Sequence, residues 1–371
     1  MSLLDCKKLG FGLMRLPKIG EEEDVEQVKE MVDHFLSHGF KYFDTAYGYD
    51  KGKSEECIKE ALVDRYPRDS FYLATKLPAW AGAKNEEEAK QMFYTSLKRT
   101  GAGYFDFYLL HNLAGERTKV FDRFHIWDFV KERKEEGLVK HIGFSYHGQA
   151  EELRDILSKH PEVEFVQLQI NYADWDDPTV QSAKNLEVCN EFNKPVIIME
   201  PVKGGTLFNL PEKVSHYMTD YAKDASLASW AIRFAASQKG VMMVLSGMSN
   251  MEQMKDNVSY MDDFKPLRKE EYEVIENVQK ALKAQPSIPC TACSYCTKDC
   301  PMQIAIPRIF SAYNRYSVFD DLKGAKGSYG FATRNNAKAS ECLQCGQCES
   351  VCPQQINIIE RLQEIAGLFE E

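Results

Sequence analysis

The sequence predicts a (β/α)8 barrel of the TIM type followed by a small α+β domain that binds metal. Two patterns lead to this prediction. Between residues 11 and 258, short runs of β-branched and aromatic residues alternate eight times with amphipathic segments, which is typical of a parallel sheet covered by helices. Eight of the 11 cysteines then lie between Cys290 and Cys352. The chain of 371 residues is long enough for a barrel of about 250 residues and an appended domain.

Each predicted strand of the barrel is followed by a predicted helix. The strands end near Met14, Asp44, Lys76, His111, Ser145, Gln169, Glu200 and Ser246. The helices span residues 24–38, 54–62, 85–100, 120–136, 149–158, 178–193, 225–237 and 250–258. Eight such units favour a closed barrel. An open, doubly wound sheet is the alternative, but no G-x-G-x-x-G motif follows the first strand.

The charge balance of the chain argues against some classes of binding partner. The chain has 46 Lys and Arg residues against 56 Asp and Glu residues, a formal net charge of −10, and no run of basic residues. This argues against binding to nucleic acid or to an anionic membrane surface. No apolar run reaches the roughly 18 residues of a membrane helix. We therefore expect a cytoplasmic protein without a membrane partner.

A cysteine-rich segment follows the barrel. A helix is predicted over residues 269–284, and Pro286 and Pro289 then mark a domain boundary, which divides the chain into a barrel over residues 1–285 and a second domain over residues 286–371. Within the second domain the motif C-x2-C-x2-C-x3-C-P occurs twice. Its cysteines are Cys290, Cys293, Cys296 and Cys300 in the first copy and Cys342, Cys345, Cys348 and Cys352 in the second.

The spacing of these cysteines resembles that of the bacterial two-cluster ferredoxins. The resemblance implies a ferredoxin-like domain with two [4Fe–4S] clusters, in which the fourth cysteine of each copy ligates the other cluster. One cluster would be bound by Cys290, Cys293, Cys296 and Cys352, and the other by Cys342, Cys345, Cys348 and Cys300. Two four-cysteine zinc sites are the alternative, although such sites usually contain two separated C-x2-C pairs. Disulfides are rare in a cytosolic chain.

Four polar residues accompany three successive predicted strands. Asp44 ends the second strand and Tyr49 follows it, Lys76 ends the third, and His111 ends the fourth. Because the carboxyl ends of barrel strands form one rim, we expect these side chains to converge there. A positioned tyrosine can protonate a carbonyl oxygen, and a neighbouring ammonium would lower its pKa from about 10. The group predicts carbonyl reduction or its reverse, with Asp44 holding Lys76 and His111 orienting the substrate oxygen.

Several motifs resemble those of the aldo-keto reductases. They are L-G-F-G-L-M-R-L-P at residues 9–17, Asp44-Thr-Ala-x-x-Tyr49, Lys76, Leu109-Leu-His111, Gly143-Phe-Ser145, Gln167-x-Gln169-x-Asn171-Tyr172 and Glu200-Pro-Val-Lys-Gly-Gly205. The chain is similar to the microbial branch that carries a two-cluster ferredoxin-like domain after the barrel. The resemblance implies that Asp44, Tyr49, Lys76 and His111 form the catalytic tetrad, with Tyr49 as the general acid.

The same resemblance implies a nicotinamide cofactor, NADPH or NADH. Ser145 and Gln169 would bind its amide, and Asn257 would lie near its adenine end. Met199, with Glu200 beside it, takes the place of the aromatic ring that usually stacks on the nicotinamide.

Other positions depart from the family pattern. Tyr146 stands where Asn is common, and residues 247, 248 and 253 lack the cations that usually bind the 2′-phosphate of NADP. Lys203 and Lys255 are then the nearby cations. Charge-assisted contacts to phosphate are strong, so NADPH, NADH and electron supply by the clusters all stay open.

These features together predict an oxidoreductase that interconverts a small carbonyl and an alcohol and transfers electrons through two clusters, with a redox protein as donor or acceptor. Two alternatives remain. The chain is a nicotinamide-dependent reductase whose clusters are structural or sense redox state, or it is an electron-transfer protein whose barrel is a docking scaffold. Nothing in the sequence indicates a flavin, although coupling hydride chemistry to one-electron clusters normally requires such a carrier.

Overall fold

A computed structural model describes residues 3–370 of the chain. These residues form two compact units. The first unit comprises the chain up to Gly204 together with Ala228–Arg268, and the second comprises Gly205–Leu227 together with Lys269 onward. The division of the chain at residue 285 therefore stays a prediction, because the helix before that point already belongs to the second unit.

The first unit contains a closed barrel of eight parallel strands, which confirms the predicted fold. Its strands are β1 (Leu9–Gly12), β4 (Tyr42–Asp44), β5 (Tyr72–Leu77), β6 (Phe105–Leu113), β7 (Val139–Tyr146), β8 (Phe165–Gln169), β9 (Val196–Met199) and β10 (Val241–Ser246). They are hydrogen-bonded in chain order, and β1 closes the ring by pairing with both β4 and β10. A short antiparallel pair, β2 (Lys18–Ile19) and β3 (Glu22–Glu23), follows β1. Each predicted strand end lies within two residues of the observed one.

Helices account for the rest of the regular structure. In chain order they are α1 (Val25–Ser37), α2 (Lys53–Ile58), α3 (Glu86–Thr100), α4 (Glu116–Arg123), α5 (Ile126–Glu135), α6 (Ala150–Lys159), α7 (Ser182–Glu191), α8 (Glu212–Tyr221), α9 (Leu227–Ala236), α10 (Met251–Met261), α11 (Lys269–Lys283), α12 (Tyr295–Lys298), α13 (Ile306–Phe319), α14 (Leu322–Thr333), α15 (Gln347–Ser350) and α16 (Ile358–Phe369). The single helix predicted over residues 120–136 is wrong. It is two helices, α4 and α5, because His125 adopts a left-handed conformation with φ 49°.

The barrel interior is filled by side chains from alternate positions of the strands. Tyr42, Ala74, Phe107, Leu109, Phe165, Ile197, Met243 and Leu245 form this inner cluster. Large rings need space beside them, which glycine provides. A Cβ atom at Gly143 would lie 2.5 Å from the ring of Phe165 and 2.6 Å from the carbonyl oxygen of Phe165. The bottom of the barrel is therefore a packed core, and the polar strand ends are left for chemistry.

The second unit repeats itself with an offset of 52 residues. The short helices α12 and α15 and the longer helices α13 and α16 occupy corresponding positions in the two cysteine motifs. Positive φ angles also recur in pairs, at Ala292 and Gln344 and at Gln303 and Gln355. The repeat seen in the sequence is thus a repeat of the backbone.

Regular structure in residues 286–370 is helical, and no strand is found there. The α+β character expected of this domain is therefore absent from the described part of the chain. The apolar segments after each Cys-Pro pair are only a few residues long and lead directly into α13 and α16. Among residues 3–370, no helix has both the length and the apolar character that crossing a bilayer requires.

Candidate functional site

Lys76 lies at the centre of a hydrogen-bonded group at the carboxyl end of the barrel. Its side chain is completely buried. The ammonium donates to Asp44 Oδ1 at 2.5 Å, to the Thr45 carbonyl oxygen at 2.7 Å and to the Tyr49 hydroxyl oxygen at 3.1 Å. An ammonium has three protons, so all three are used. Because Lys76 donates to the phenol oxygen, the proton of Tyr49 must point away from Lys76.

Asp44 compensates the charge of Lys76. Its second oxygen, Oδ2, accepts a hydrogen bond from Gln167 Nε2 at 3.1 Å. Burial raises the pKa of Asp44, and the Lys76 ammonium and the Gln167 amide oppose this rise. Burial alone would lower the pKa of Lys76, but Asp44 and Tyr49 outweigh it and raise that pKa. Sequence reasoning gave Gln167 no role, although its inward position two residues before Gln169 was a usable signal.

Tyr49 begins a short turn, Tyr49–Gly52, after β4. Its ring is partly exposed, and the Lys76 ammonium lies 4.6 Å from the ring centroid. Burial of the hydroxyl raises the pKa of Tyr49, and the charge of Lys76 only partly offsets this effect. The expectation of a lowered pKa is therefore wrong in its net direction, because desolvation of the phenolate outweighs the nearby cation. Tyr49 is a protonated group at neutral pH.

A buried ion pair holds the chain segment that carries Tyr49. Glu55 accepts hydrogen bonds from Thr75 Oγ1 at 2.7 Å and from Arg99 Nη1 at 3.3 Å. The same Arg99 nitrogen donates to the Tyr47 carbonyl oxygen at 3.0 Å. The segment after β4 is thereby tied to both α3 and β5, and the position of Tyr49 follows from these ties.

His111 lies beside Tyr49, with ring centroids 5.9 Å apart and an interplanar angle of 79°. Burial, followed by the charge of Lys76, holds the pKa of His111 well below its usual range, so the ring is neutral. Its Nδ1 is buried and has no hydrogen-bond partner among residues 3–370. A buried N–H without an acceptor is costly, so we assign the ring proton to Nε2. Trp80 Nε1 donates to the His111 carbonyl oxygen at 2.7 Å and fixes this strand end.

Ser145 and Gln169 end the neighbouring strands β7 and β8, on the same rim as the predicted tetrad. Ser145 Oγ accepts a hydrogen bond from the Asn112 backbone N–H at 2.8 Å, which leaves its hydroxyl proton available. Gln169 Nε2 donates to Asp174 Oδ2 at 3.0 Å, and the ring of His147 is hydrogen-bonded to Gln169. Gln169 therefore has protein partners that sequence reasoning did not identify.

Asp174 organises this second polar group. Its carboxylate is buried and accepts hydrogen bonds from Asn171, Gln169 and Lys203. Burial would raise the pKa of Asp174, but Lys203 and the amides outweigh burial and lower it. Lys203 was expected near the cofactor phosphates, and the structure places its ammonium on Asp174 instead.

The remaining predicted cofactor residues have different surroundings. Met199 is partly buried at the end of β9, and Glu200 follows it with a positive φ of 53°. Asn257 is only 4 % exposed; its Nδ2 donates to Ser246 Oγ at 3.0 Å, and its Oδ1 accepts from Tyr260. Both ends of the Asn257 amide are thus engaged within the protein.

Tyr146, which replaces the usual Asn, points away from the barrel interior. Its hydroxyl donates to the Gln149 carbonyl oxygen at 2.7 Å and to Glu152 Oε2 at 3.1 Å. The Tyr146 side chain therefore contacts the start of α6 and is not directed at the rim.

Arg15 is a cation near the rim that sequence reasoning missed. Its guanidinium lies 3.5 Å from the Cβ position of Gly204 and 4.0 Å from that of Gly247, which follow β9 and β10. Its charge also acts on Tyr49. Lys255, in contrast, is exposed on α10, where its charge acts on His34 of α1. The motif at residues 9–17 contained Arg15, but only folding shows what it faces.

The cysteines surround two pockets in the second unit. One pocket, of about 320 Å³, has Cys290, Cys293, Cys296 and Cys352 in its wall. The other, of about 340 Å³, has Cys342, Cys345, Cys348 and Cys300. Each set joins three cysteines of one motif with the fourth cysteine of the other, and Ile306 lines both pockets.

The donor set fits a multinuclear cluster. Each pocket combines four thiols with apolar walls, as Fe–S clusters prefer. The thiols surround a space instead of meeting at one point. In the described part of the chain, no three Cys, His, Asp or Glu side chains are placed to hold a metal ion between them.

Two family models match successive parts of the chain. Residues 8–280 match the model of the Aldo/keto reductase family, and residues 289–357 match that of the 4Fe-4S dicluster domain. The uncharacterized oxidoreductase YqkF of Bacillus subtilis is 23 % identical over 286 residues, which cover 69 % of this chain and 87 % of that protein. The D-galacturonate reductase of Fragaria ananassa is 27 % identical over 276 residues, covering 68 % and 81 %.

Solved structures share the barrel fold. The holo form of an aldo-keto reductase from Bacillus halodurans superposes with a TM-score of 0.61 at 24 % identity and covers 76 % of this chain and 95 % of its own. An aldo-keto reductase from Klebsiella pneumoniae in complex with NADPH superposes with a TM-score of 0.57 at 19 % identity, covering 74 % and 96 %.

Proposed function

The chain belongs to the Aldo/keto reductase family and carries a 4Fe-4S dicluster domain, and on this premise we propose that its barrel interconverts a small carbonyl and an alcohol with a nicotinamide cofactor while two [4Fe–4S] clusters transfer electrons. The observation that supports the barrel reaction best is the triple hydrogen bonding of Lys76, which directs the proton of Tyr49 outward. A cytoplasmic location is part of the proposal, because cluster thiolates require a reducing compartment.

The proposed reduction adds a hydride to the carbonyl carbon and a proton to the oxygen. Tyr49 supplies the proton, and the phenolate that forms is stabilised by the ammonium of Lys76. Asp44 keeps Lys76 charged and in place. Neutral His111 donates its Nε2 proton to the substrate oxygen, where negative charge develops. In the oxidation direction the same groups act in reverse.

A reduced nicotinamide, when bound, supplies the hydride. Ser145 has a free hydroxyl proton for the amide, Gln169 lies on the adjacent strand, and Met199 offers an apolar surface beside Glu200. Asn257 near the adenine end stays a prediction. Arg15 is better placed than Lys255 to serve a cofactor phosphate. The residues on this rim therefore fit a nicotinamide cofactor. Because Arg15 could bind a phosphate, the proposal includes NADPH as well as NADH.

The two thiol pockets would hold the clusters, which transfer one electron at a time. A second candidate function follows from the packing of the second unit, whose apolar core lies around these same cysteines. In that case the clusters stabilise the unit and take no part in turnover. Anaerobic titration of the cluster-loaded protein with NADPH distinguishes the two: bleaching of the cluster absorbance supports electron transfer, and no bleaching favours the structural role.

Tyr49→Phe tests the barrel reaction. We expect NADPH-dependent turnover of a panel of aldehydes and ketones to fall by about 10²–10⁴-fold, because general acid catalysis contributes that much. The cluster absorbance should be unchanged. Tyr47→Phe is the matched control, because the ring of Tyr47 packs on Arg99 and its hydroxyl has no part in the proposal. Turnover by Tyr49→Phe equal to that of the control would contradict the assignment.

A further inference from the structure

A third pocket in the second unit is distinct from the two cysteine pockets. It has a volume of about 900 Å³ and opens between the first cysteine motif, the start of α13 and the chain after α14. Ser294, Thr297, Lys298, Cys300, Arg308 and Asn336 are among the residues that line it. None of its lining residues is acidic. The proposed electron transfer gives this pocket no role so far.

Two cations give the pocket a positive charge. Lys298 and Arg308 are both exposed, and neither side chain forms an ion pair or a hydrogen bond within residues 3–370. The Lys298 ammonium lies 5.4 Å from the centroid of the Tyr295 ring. Ala305, the residue before α13, also lines the pocket, so the positive end of this 14-residue helix faces the same space. The pocket is therefore suited to a negatively charged occupant.

The segment that begins at Arg308 carries further positive charge. Residues 308–338 contain six basic and two acidic residues, whereas the whole chain has a net charge of −10. Arg315 is paired with Asp321, but Lys323, Lys326 and Arg334 are exposed. A segment with this excess of positive charge, next to a pocket lined by Lys298 and Arg308, is typical of a part of a protein that attracts an acidic partner.

The pocket is also adjacent to the cysteine pockets. Cys300 lines both this pocket and the second cysteine pocket, and Ser294 lines both this pocket and the first. A partner bound here would therefore contact residues that also line the cysteine pockets. Such proximity is what electron transfer between proteins requires.

We propose that this pocket and the basic segment 308–338 form the docking site for an acidic one-electron carrier protein. The inference rests on the proposed electron-transfer function. Each encounter passes one electron: the carrier is oxidised by one electron, a cluster is reduced by one electron, and no bond forms or breaks. Lys298 and Arg308 bind carboxylates of the carrier and hold it beside Cys300.

The experiment uses the full cluster-loaded chain and a plant-type [2Fe–2S] ferredoxin, an acidic carrier, in its reduced state. Stopped-flow absorbance at low ionic strength gives the second-order rate of cluster reduction. We expect the double variant Lys298→Glu/Arg308→Glu to slow this rate by at least about 10-fold, because charge steering raises association rates by 10–10³. Added salt should slow the wild type and leave the variant almost unchanged.

The double variant Lys269→Glu/Lys280→Glu on α11 is the control, since it changes the net charge equally at exposed positions outside the pocket. Equal slowing in the two double variants would overturn the docking site. Saturable binding of flavin mononucleotide to the wild type, absent from Lys298→Glu/Arg308→Glu, would also overturn it by making the pocket a small-molecule site.

Reduction by dithionite separates this inference from the function on which it rests. Clusters that dithionite reduces at the same rate in all variants show that the clusters are intact, so that any loss with ferredoxin reports docking. Clusters that neither dithionite nor ferredoxin reduces would instead contradict the electron-transfer function itself.

Discussion

The two candidate sites differ in how far apart along the chain their residues lie. In the barrel, Asp44, Lys76 and His111 lie on three separate strands, and their positions depend on the closed sheet. In the second unit, three of the four thiols around each pocket come from one short loop, and only the fourth comes from the other motif. The barrel site therefore needs a complete fold before it exists, whereas most of each thiol set is already present in a local segment.

The two sites also differ in how their polar groups are satisfied. Around Lys76 each charge has a protein partner, so the group is complete as a network of protein atoms. The cysteines around the two pockets form no disulfide and have no charged protein partner of this kind in the described part of the chain. The barrel site should therefore respond to loss of one partner by destabilisation, and the cysteine site by loss of an inorganic group.

The largest effect is expected from paired cysteine substitutions, which test the exchange of the fourth ligand. Cys300→Ala combined with Cys345→Ala should lower the iron content by about half, because both residues line the same pocket and would bind the same cluster. Cys300→Ala combined with Cys293→Ala should remove nearly all iron, because those residues line different pockets. Iron analysis measures both double variants. Each is the control for the other, because both carry Cys300→Ala and one further cysteine substitution. The opposite result would show that each motif binds its own cluster.

Lys76→Met tests the dependence of the barrel site on protein partners. It leaves the buried carboxylate of Asp44 without its cation, and we expect a loss of about 3–5 kcal/mol in the free energy of unfolding. The double variant Asp44→Leu/Lys76→Met should recover most of this loss, because no uncompensated charge remains. Urea unfolding followed by circular dichroism measures both. A double variant no more stable than Lys76→Met would mean that packing, not charge, sets the cost.

Gly143→Ala tests whether packing inside the barrel is as tight as the distances indicate. The new Cβ would lie 2.6 Å from the backbone oxygen of Phe165, which cannot turn aside, so we expect a loss of about 2 kcal/mol. Gly327→Ala on α14 of the second unit is the control: nothing lies within 4 Å of its Cβ position, and it should stabilise by about 0.5–1 kcal/mol. Similar changes in stability at the two positions would contradict the difference in packing between Gly143 and Gly327.

The smallest effect is expected from Glu164→Gln, which tests charge pairing in the barrel away from the rim. Burial would raise the pKa of Glu164, but hydrogen bonds from His141, Lys134 and Ile142 outweigh it and lower the pKa to about 2. Because the folded pKa lies below the ordinary value, the carboxylate stabilises the fold above about pH 4.5 and loses this effect as the pH falls towards 2. The variant should lose about 1–2 kcal/mol at pH 7 and only about a quarter of that at pH 2.5. Thermal unfolding at both pH values checks this, and a loss independent of pH would contradict it.

Sequence patterns predicted most of the barrel because the alternation of strands and helices is a local property. The strand ends at Asp44, Gln169 and Ser246 were predicted without error. The break between α4 and α5 was not predicted, because it occurs at His125, and no glycine or proline there indicates a helix end. The convergence of Asp44, Tyr49, Lys76 and His111 could be predicted because parallel barrel strands share one rim.

The partners of these residues could not be predicted, because side-chain contacts across the barrel and within the loop after β8 are not encoded in residue spacing. Gln167 reaches Asp44 across the barrel, and Asp174 binds both Gln169 and Lys203. The sequence indicated Lys203 only as a cation near the cofactor, because its contact with Asp174 could not be predicted. The direction of the Tyr49 pKa shift was likewise missed, because it depends on the balance of burial and charge.

The sequence by itself determined the fold class, the polar residues proposed as a catalytic tetrad and the two cysteine motifs, since each is encoded by residue type and spacing along the chain. Tertiary structure alone decided which atoms meet. It brought Cys300 to the pocket of the second motif, aimed the Tyr49 proton away from Lys76, placed Arg15 beside the ends of β9 and β10, and opened the basic pocket at Lys298 and Arg308. The physical reason is that burial, dielectric surroundings and hydrogen-bond direction depend on contacts between residues far apart in the chain.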